Sequence, residues 1–503
     1  MTQSHAERLL SAFQHFFPEA QTIGSYVGGE LIEGQGEPIQ LHDAATGQAS
    51  LRYADGDAAL VAHAAERAQA AQRAWWSLTH AARGRTLFAV AQGIRVEVGA
   101  LATLEALGAG KPIRDCRAEA AKVAEMFEYY AGWADKFYGD VIPVPTSHLN
   151  YTRREPAGTV LQITPWNAPV FTCGWQLAPA LAMGNAVLLK PSELTPFTSL
   201  AVARIAEQAG LPRGLVNVLA GQGHSVAQAA IAHPAINKVV FVGSPATGRR
   251  IAQAAAARLL PCVMELGGKS ANIVFADACL ERAALTAQAA IFAGAGQSCV
   301  AGSRLLVQRP VYERFIEMMA RGAQRIRVGD PLDDATEVGP INNPRQYAHV
   351  MSMIGGGVDA GARLASGSAE PGTGGYFVRP TVLADVRNDM DVARTEIFGP
   401  IVSVIPFDDE HQAVAIANDT EFGLAGAVWT GDVGRAHRVA AAVRAGTFWI
   451  NGYKTIHVAS PFGGYGLSGY GRSSGVEALH EYTQTKSVWV ETALEPPSAF
   501  GYL

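Results

Sequence analysis

Five short runs of β-branched and aliphatic residues, at 158–164, 186–189, 215–219, 238–242 and 262–266, are separated by stretches long enough for one helix each. Strand and helix in strict alternation specify a parallel sheet, because a parallel neighbour is reached only through a long crossover that packs on the sheet face. A second series follows at 270–275, 304–307, 381–383, 401–405, 427–429 and 447–451. The expected fold class is therefore α/β, with two open parallel-sheet domains. A chain of 503 residues is long enough for two or three cores.

Other segments depart from this alternation. Helical periodicity dominates 57–138, with Ala-rich helices expected at 58–76 and 117–137. Phe127, Tyr130, Ala134 and Phe137 form one apolar stripe, read as core, with a ligand funnel as the other possible use. The segment 150–155 is polar and extended, and the tail 485–490 is strand-like; both have edge character and fit an intersubunit sheet. The run 371–375 reads as an exposed turn.

Composition narrows the function. With 49% hydrophobic and 17% charged residues the chain is a well-packed globule, and its net charge of −5, with Lys and Arg scattered, leaves nucleic acid and anionic membranes as unexpected partners. Small molecules are the expected partners. The five cysteines are odd in number and show no C-x-x-C pair, which argues for a reducing compartment and no metal. Residues 1–17 have helical amphipathic spacing but no basic n-region, and no apolar run reaches membrane-spanning length. A cytoplasmic location is expected.

Several motifs carry chemistry. Cys299 follows Gly294-Ala295-Gly296-Gln297-Ser298, and Glu265 lies 34 residues upstream, which pairs a soft nucleophile with a carboxylate base. Alone, a small-residue run ending in Cys is more commonly packed core. Gly243-Ser244-Pro245-Ala246-Thr247-Gly248 comes after an apolar strand and before a helix, an order that suits phosphate binding, although the three-glycine fingerprint is incomplete. Gly221-Gln222-Gly223 lacks the third glycine too. Lys190 and Glu193 follow the second strand, where Glu193 suits ribose hydroxyls and repels a 2′-phosphate; NAD is expected in preference to NADP. Gly267-Gly268-Lys269-Ser270 imitates a triphosphate loop but has Val263 where that loop needs its first glycine.

Taken together, Pro165-Trp166-Asn167, Lys190-Pro191-Ser192-Glu193, Phe241-Val242-Gly243-Ser244, Glu265-Leu266-Gly267-Gly268, Gly296-Gln297-Ser298-Cys299, Glu396-Ile397-Phe398-Gly399-Pro400 and Ser460-Pro461-Phe462-Gly463-Gly464 resemble the aldehyde dehydrogenase superfamily in order and spacing. The resemblance extends over roughly residues 25–492. It implies a Rossmann-like NAD-binding domain (1–138 and 156–266), a catalytic domain (267–472) and a small β oligomerisation arm (139–155 and 483–496), assembled as a homodimer or homotetramer. Cys299 is then the nucleophile, Glu265 the base that activates water against a thioester, and Asn167 the oxyanion donor. Ile163, Trp166, Lys190, Glu193, Gly223, Gly243, Ser244, Leu266, Glu396 and Phe398 become the cofactor residues.

Two departures stand out. Many members have a second acidic residue before Ile-Phe-Gly-Pro, where this chain has Thr395, and members commonly carry Glu where it has Ser473. The resemblance lines a substrate tunnel with Ala168, Thr172, Trp175, Ser298, Val300, Lys454, Ile456 and His457. Several relatives have aromatics at the positions of Ala168 and Ile456, so a wider tunnel with less of an aromatic cage is expected, which disfavours betaine aldehyde. Lys454 and His457 point instead to a bulky or acid-bearing semialdehyde. The competing functions are acyl transfer to coenzyme A, a cysteine hydrolase, and a binding or structural protein of the same fold.

Overall fold

The structure, a computed structural model, describes residues 3–370, 372 and 374–495. Pro371 and Thr373 of the expected turn, residue 496 of the expected arm and the first two residues of the N-terminal segment lie outside the described residues.

All five strands of the first series form, as β1 (Thr159–Ile163), β2 (Ala186–Lys190), β3 (Val216–Val218), β4 (Ile236–Val242) and β5 (Cys262–Glu265). They pair in parallel in the order β5-β4-β1-β2-β3. Every residue of β1 and β2 is buried, the result of helices covering both sheet faces. The chain builds outward from β1 through β2 to β3, then returns to lay β4 on the other side of β1. A topological switch point therefore lies between β1 and β4, where Ile163 is in register with Phe241. Open α/β sheets leave a crevice there, beyond the carboxyl ends of the strands.

The sheet has eight strands, because antiparallel pieces extend both edges. Ser25–Val27 pairs with β3 and with Glu30–Ile32, while Gly469–Tyr470 pairs with β5. These pieces are two or three residues long, too short to carry a period of their own.

The second sheet has seven strands in the order Arg363–Ser366, Thr381–Ala384, Ile401–Phe407, Arg304–Gln308, Ala271–Val274, Ala425–Trp429, Thr447–Ile450. All neighbours are parallel except the first pair, so the six expected strands gain one antiparallel edge.

The segments expected at 150–155 and 485–490 pair with each other. His148–Pro156 and Thr483–Glu491 run antiparallel in unbroken register, and Val141–Ile142 adds a third strand. Trp489, Val141 and Tyr138 remain exposed beside this sheet.

The helical layer contains Ala58–Ser77, α1 (Val98–Ala109) and α2 (Ile113–Trp133). α2 starts and stops earlier than the periodicity indicates: Ala134 N–H turns back to Ala131 O, and Ala134 and Phe137 fall beyond the helix. Phe127, Tyr130 and Ala134 are buried, which assigns the stripe to core. Three further helices bear on the site: α3 (Pro169–Ala182) after β1, α4 (Phe197–Gln208) after β2, and α5 (Pro245–Ala256) after β4. Among the described residues no single helix is long and apolar enough to cross a membrane.

Each sheet has its own apolar core. Val300, Leu424 and Ala425, from the second half of the chain, are buried in the first core, and Cys299 and Ile456 pack against it. The cysteine loop thus sits at the seam between the two sheets.

Candidate functional site

Glu265 closes β5, held by its pairing with Gly469 and by the Leu266 N–H to Ser468 O bond. Its side chain is 3% exposed and neither carboxylate oxygen has a hydrogen-bond partner. Burial pushes its pKa up to about 8, an effect that Ser473 and Arg472 partly offset and Glu481 reinforces. A buried carboxyl without partners favours its neutral form at neutral pH. Ser473 is itself buried and accepts from Gln176 Nε2 at 3.3 Å.

The Gly267-Gly268 pair lets two functional groups approach the backbone. Gly268 N–H donates to Glu396 Oε1 at 3.0 Å, and a Cβ on Gly268 would lie 2.5 Å from the Cys299 carbonyl oxygen. Burial raises Glu396 to about 7, with Gly268 N–H and Lys269 acting to lower it. Lys269 is 1% exposed, its Nζ has no partner, and burial lowers it to about 7. Thr395 is exposed, which leaves Glu396 as the carboxylate turned to this backbone.

Cys299 follows the tight turn Ala293–Gly296, in which Gly294, Ala295 and Gly296 all have positive φ. Ala295, at φ 56°, stores backbone strain that its burial holds in place. Burial pushes the Cys299 thiol up to about 12; Glu396 and Glu265 push in the same direction, while Lys454 and the Val300 backbone N–H oppose them. The resting thiol therefore keeps its proton at neutral pH, and a nearby base must remove it. Asn167 Nδ2 donates to Gln297 O at 2.8 Å, which ties the loop after β1 to the cysteine loop.

The expected cofactor residues of the first sheet lie in the segments at or just beyond the carboxyl ends of its parallel strands, on both sides of the switch point. Ile163 ends β1, and Trp166 meets Phe398 edge to face with ring centroids 5.4 Å apart. Phe398 has φ 57°, a conformation costly for a bulky residue and characteristic of functional loops. Gly243 N–H donates to Glu265 O at 3.0 Å, and Ser244 caps α5 by accepting from Thr247 N–H. Leu266 packs on Gly248 of the same helix. Lys190 is buried and pairs with Glu193 at 3.1 Å. Tyr53 OH donates to Glu193 O at 2.8 Å, and Asp55 accepts from Gln222 N–H and Ser225 OH, both at 2.7 Å. Gly223 opens a single π-helical turn, Gly223–Ala227, and is exposed. Tyr53, in the strand Ala49–Ala54, and Asp55, just after it, escape sequence reading because they lie 140 and 167 residues from the loop residues they hold.

The expected tunnel residues divide. Ser298 and Val300 flank Cys299, and Ile456 packs on the same core as Cys299. Thr172 spends its hydroxyl on Ala168 O at 2.8 Å, inside α3. Lys454 is partly buried with φ 63°; burial lowers its pKa, while Cys299, Glu119 and Asp115 raise it and Lys111 lowers it. This places the ammonium among the groups around the thiol. His457 is exposed, and its Nδ1 accepts from Ala459 N–H on its own loop. Trp175 donates to Ser474 Oγ and stands 5.2 Å from the Phe462 ring and 6.1 Å from Phe171. An aromatic cluster therefore exists beside the site, built from positions other than Ala168 and Ile456. Phe171 and Trp175 are four residues apart on α3 and share a face, which is the signal that reveals them.

The profile of the aldehyde dehydrogenase family matches residues 31–488. Betaine aldehyde dehydrogenase from Mesorhizobium japonicum is 42% identical over 94% of this chain and 98% of its own length. Human retinal dehydrogenase 2 is 39% identical over 91% of this chain and 89% of its own. Among solved structures, PnpE from Pseudomonas sp. WBC-3 in complex with nicotinamide adenine dinucleotide superposes with a TM-score of 0.93 at 41% identity, covering 96% of this chain and 100% of that one. Betaine aldehyde dehydrogenase from Staphylococcus aureus in complex with NAD+ also superposes with a TM-score of 0.93, at 33% identity over 97% of this chain and 98% of that one. A family match over nearly the whole chain, joined to a thiol, a buried carboxylate and an amide at one seam, has a single reading: the chain belongs to the aldehyde dehydrogenase family and is an NAD(P)-dependent, aldehyde-oxidising enzyme.

Proposed function

We propose that the chain oxidises an acid-bearing or otherwise bulky semialdehyde to the carboxylic acid, using NAD+ and a thioester on Cys299 that water hydrolyses. The observation that carries this reading is Glu265, a buried carboxyl with both oxygens unpartnered and close enough to Cys299 to raise its pKa. A carboxyl raised to about 8 exchanges its proton near neutral pH, the range in which a general base must work.

The crevice at the switch point fits a dinucleotide. The N-terminus of α5 faces it with Gly243 and Ser244, and the buried Lys190 with Glu193 stands at the carboxyl end of β2. Ile163, Trp166, Gly223 and Leu266 would complete that half of the site, with Glu396 and Phe398 on the nicotinamide side. NAD+, when bound, supplies the acceptor for the hydride that leaves the substrate carbon. Glu193 favours NAD over NADP.

The remaining chemistry belongs to the chain. Glu265, as carboxylate, takes the thiol proton, and Cys299 Sγ forms a bond to the aldehyde carbon. The developing oxyanion is held by Asn167 Nδ2, which exchanges Gln297 O for it, and by the Cys299 backbone N–H. After the hydride departs, the carbonyl re-forms as a thioester. Glu265 first releases the thiol's proton through water or Ser473. Water then attacks the thioester carbon while the regenerated carboxylate accepts its proton, and the C–S bond breaks to release acid and thiolate. Glu265 returns this second proton by the same route. A base carboxylate at this point favours water over coenzyme A as acyl acceptor.

Lys454, a cation among the groups around the thiol, supports a substrate with an anionic tail and disfavours a quaternary ammonium. Residues 1–138 and 156–266 serve the cofactor, 267–472 the chemistry, and 139–155 with 483–496 an arm for homo-oligomer formation. The exposed apolar side chains on the three-stranded sheet support such an arm, and five free cysteines support a cytoplasmic location. The test is NADH formation with hexanal, betaine aldehyde and a matched ω-oxo acid, with and without coenzyme A. The ω-oxo acid is expected to give the highest kcat/KM without coenzyme A. Equal kcat/KM for hexanal and the ω-oxo acid overturns the substrate assignment, and no NADH with any aldehyde overturns the oxidation itself.

A further inference from the structure

Glu105 lies in the middle of α1, where an ionisable side chain is costly unless it is fully hydrogen-bonded, and it is 1% exposed. Its two oxygens take different partners. Oε1 accepts from Val170 N–H at 3.2 Å, and Oε2 accepts from Thr198 Oγ1 at 2.6 Å. Val170 is in the first turn of α3, and Thr198 is in the first turn of α4.

Neither helix caps itself. The N-cap positions are Ala168 and Pro196, and neither makes a side-chain capping bond. Two adjacent helix N-termini thus present unsatisfied donors and positive dipole ends to one interior point, and a carboxylate from a third helix occupies it. Burial raises Glu105 to about 7, and the charge of the buried Lys111, which pairs with Glu119, acts to lower it toward the carboxylate. α1 comes close enough to α4 that a Cβ on Gly108 would lie 2.8 Å from the Phe197 ring.

The loops that feed these helices carry the proposed chemistry. Asn167 stands three residues before Val170, in the link from β1 to α3. Lys190 and Glu193 stand in the link from β2 to α4. We propose that Glu105 is a positioning residue, a shared cap that fixes α3 and α4 against each other and so sets the relative places of the Asn167 amide and the Glu193 carboxylate. The assignment rests on the roles given to Asn167 and Glu193 above.

The test uses E105A, E105Q and T198V in the full chain, with NAD+ affinity measured by titration without aldehyde and kcat measured separately. E105A is expected to weaken NAD+ about tenfold and to lower kcat about tenfold or more, the scale of losing hydrogen bonds to a charged group. T198V cuts only the α4 link and is expected to move the NAD+ Kd more than kcat. E105Q retains a carbonyl that accepts from Val170 N–H, so it is expected to recover most of the kcat lost in E105A. Unchanged NAD+ affinity in T198V overturns the α4 half of the proposal. A kcat in E105Q as low as in E105A, or reduced about tenfold where E105A does not fold, overturns the α3 half. A parent enzyme that binds NAD+ but oxidises no aldehyde would contradict the proposed reaction, while the affinity arm still decides the role of Glu105.

Discussion

Asn167 Nδ2 donates to Gln297 O across 2.8 Å, a bond between the loop that leaves the first sheet and the loop that carries Cys299. The same amide is the proposed oxyanion donor, so it would give up Gln297 O when the aldehyde is attacked. Asn167→Ala is expected to lower kcat by about 10²–10³, the cost of one oxyanion donor. Burst kinetics of NADH formation check it. The thiol's alkylation rate by iodoacetamide should change far less than kcat, because that reaction builds no oxyanion.

Glu265, as the proposed base, predicts a pH dependence whose sign follows from its raised pKa of about 8. The basic form grows as pH rises through that value, so the Glu265-dependent deacylation rate should climb and then level off above it. Glu265→Gln should flatten the profile and leave acyl-enzyme to accumulate. Ser473 lowers the Glu265 pKa, so Ser473→Ala should move the climb to higher pH. Ser473→Glu tests the relay: an unchanged deacylation rate and pH profile would exclude a relay role at this position. Stability has the opposite sign. An unfolded Glu ionises near its model value of 4.5, so the native chain binds more protons between that value and about 8 and loses stability as pH rises through the interval. Glu265→Gln should therefore raise Tm most at alkaline pH.

The parts of this fold that the sequence reveals are those where one physical pressure acts on consecutive residues. β1 and β2 are buried on both faces, so most of their positions are apolar, and the runs at 158–164 and 186–189 stand out. Gly469–Tyr470 escapes notice because two residues carry no period, although its pairing with Glu265 holds the proposed base. Cys299, Glu265 and Asn167 are legible through their motifs. Glu105, Tyr53 and Asp55 are not, since each holds residues 65 or more positions away and nothing in the sequence around them marks that role. In the aromatic cluster, Trp175 and Phe462 are each legible in the sequence, but their contact is not, because Phe462 is on a distant loop.

Glu193 is the residue proposed to set cofactor choice through its charge. Its carboxylate pairs with Lys190 and remains partly exposed to the crevice, where it suits ribose hydroxyls and repels a 2′-phosphate. Glu193→Gln should keep the loop, whose backbone is held by Tyr53, and raise kcat/KM for NADP+ by about tenfold relative to NAD+, a repulsion of about 1.4 kcal/mol between partly exposed charges. Initial rates with each cofactor decide it; an unchanged ratio would remove Glu193 as the discriminating residue.

Lys454 is expected to do two things that one substitution can separate. As the cation acting on Cys299 it lowers the thiol pKa, and as a wall of the proposed tunnel it faces an anionic tail. Lys454→Met removes both effects. Loss of the first slows alkylation of Cys299 by iodoacetamide, a neutral reagent, at every pH below the thiol pKa. Loss of the second lowers kcat/KM for an ω-oxo acid beyond any change for hexanal, by about tenfold if the carboxylate makes one charge-assisted hydrogen bond. The hexanal rate thus reports thiol activation, and the ratio of the two substrates reports tail recognition. A parallel fall for both aldehydes assigns Lys454 to the thiol alone and withdraws it as the group that recognises an acid-bearing tail.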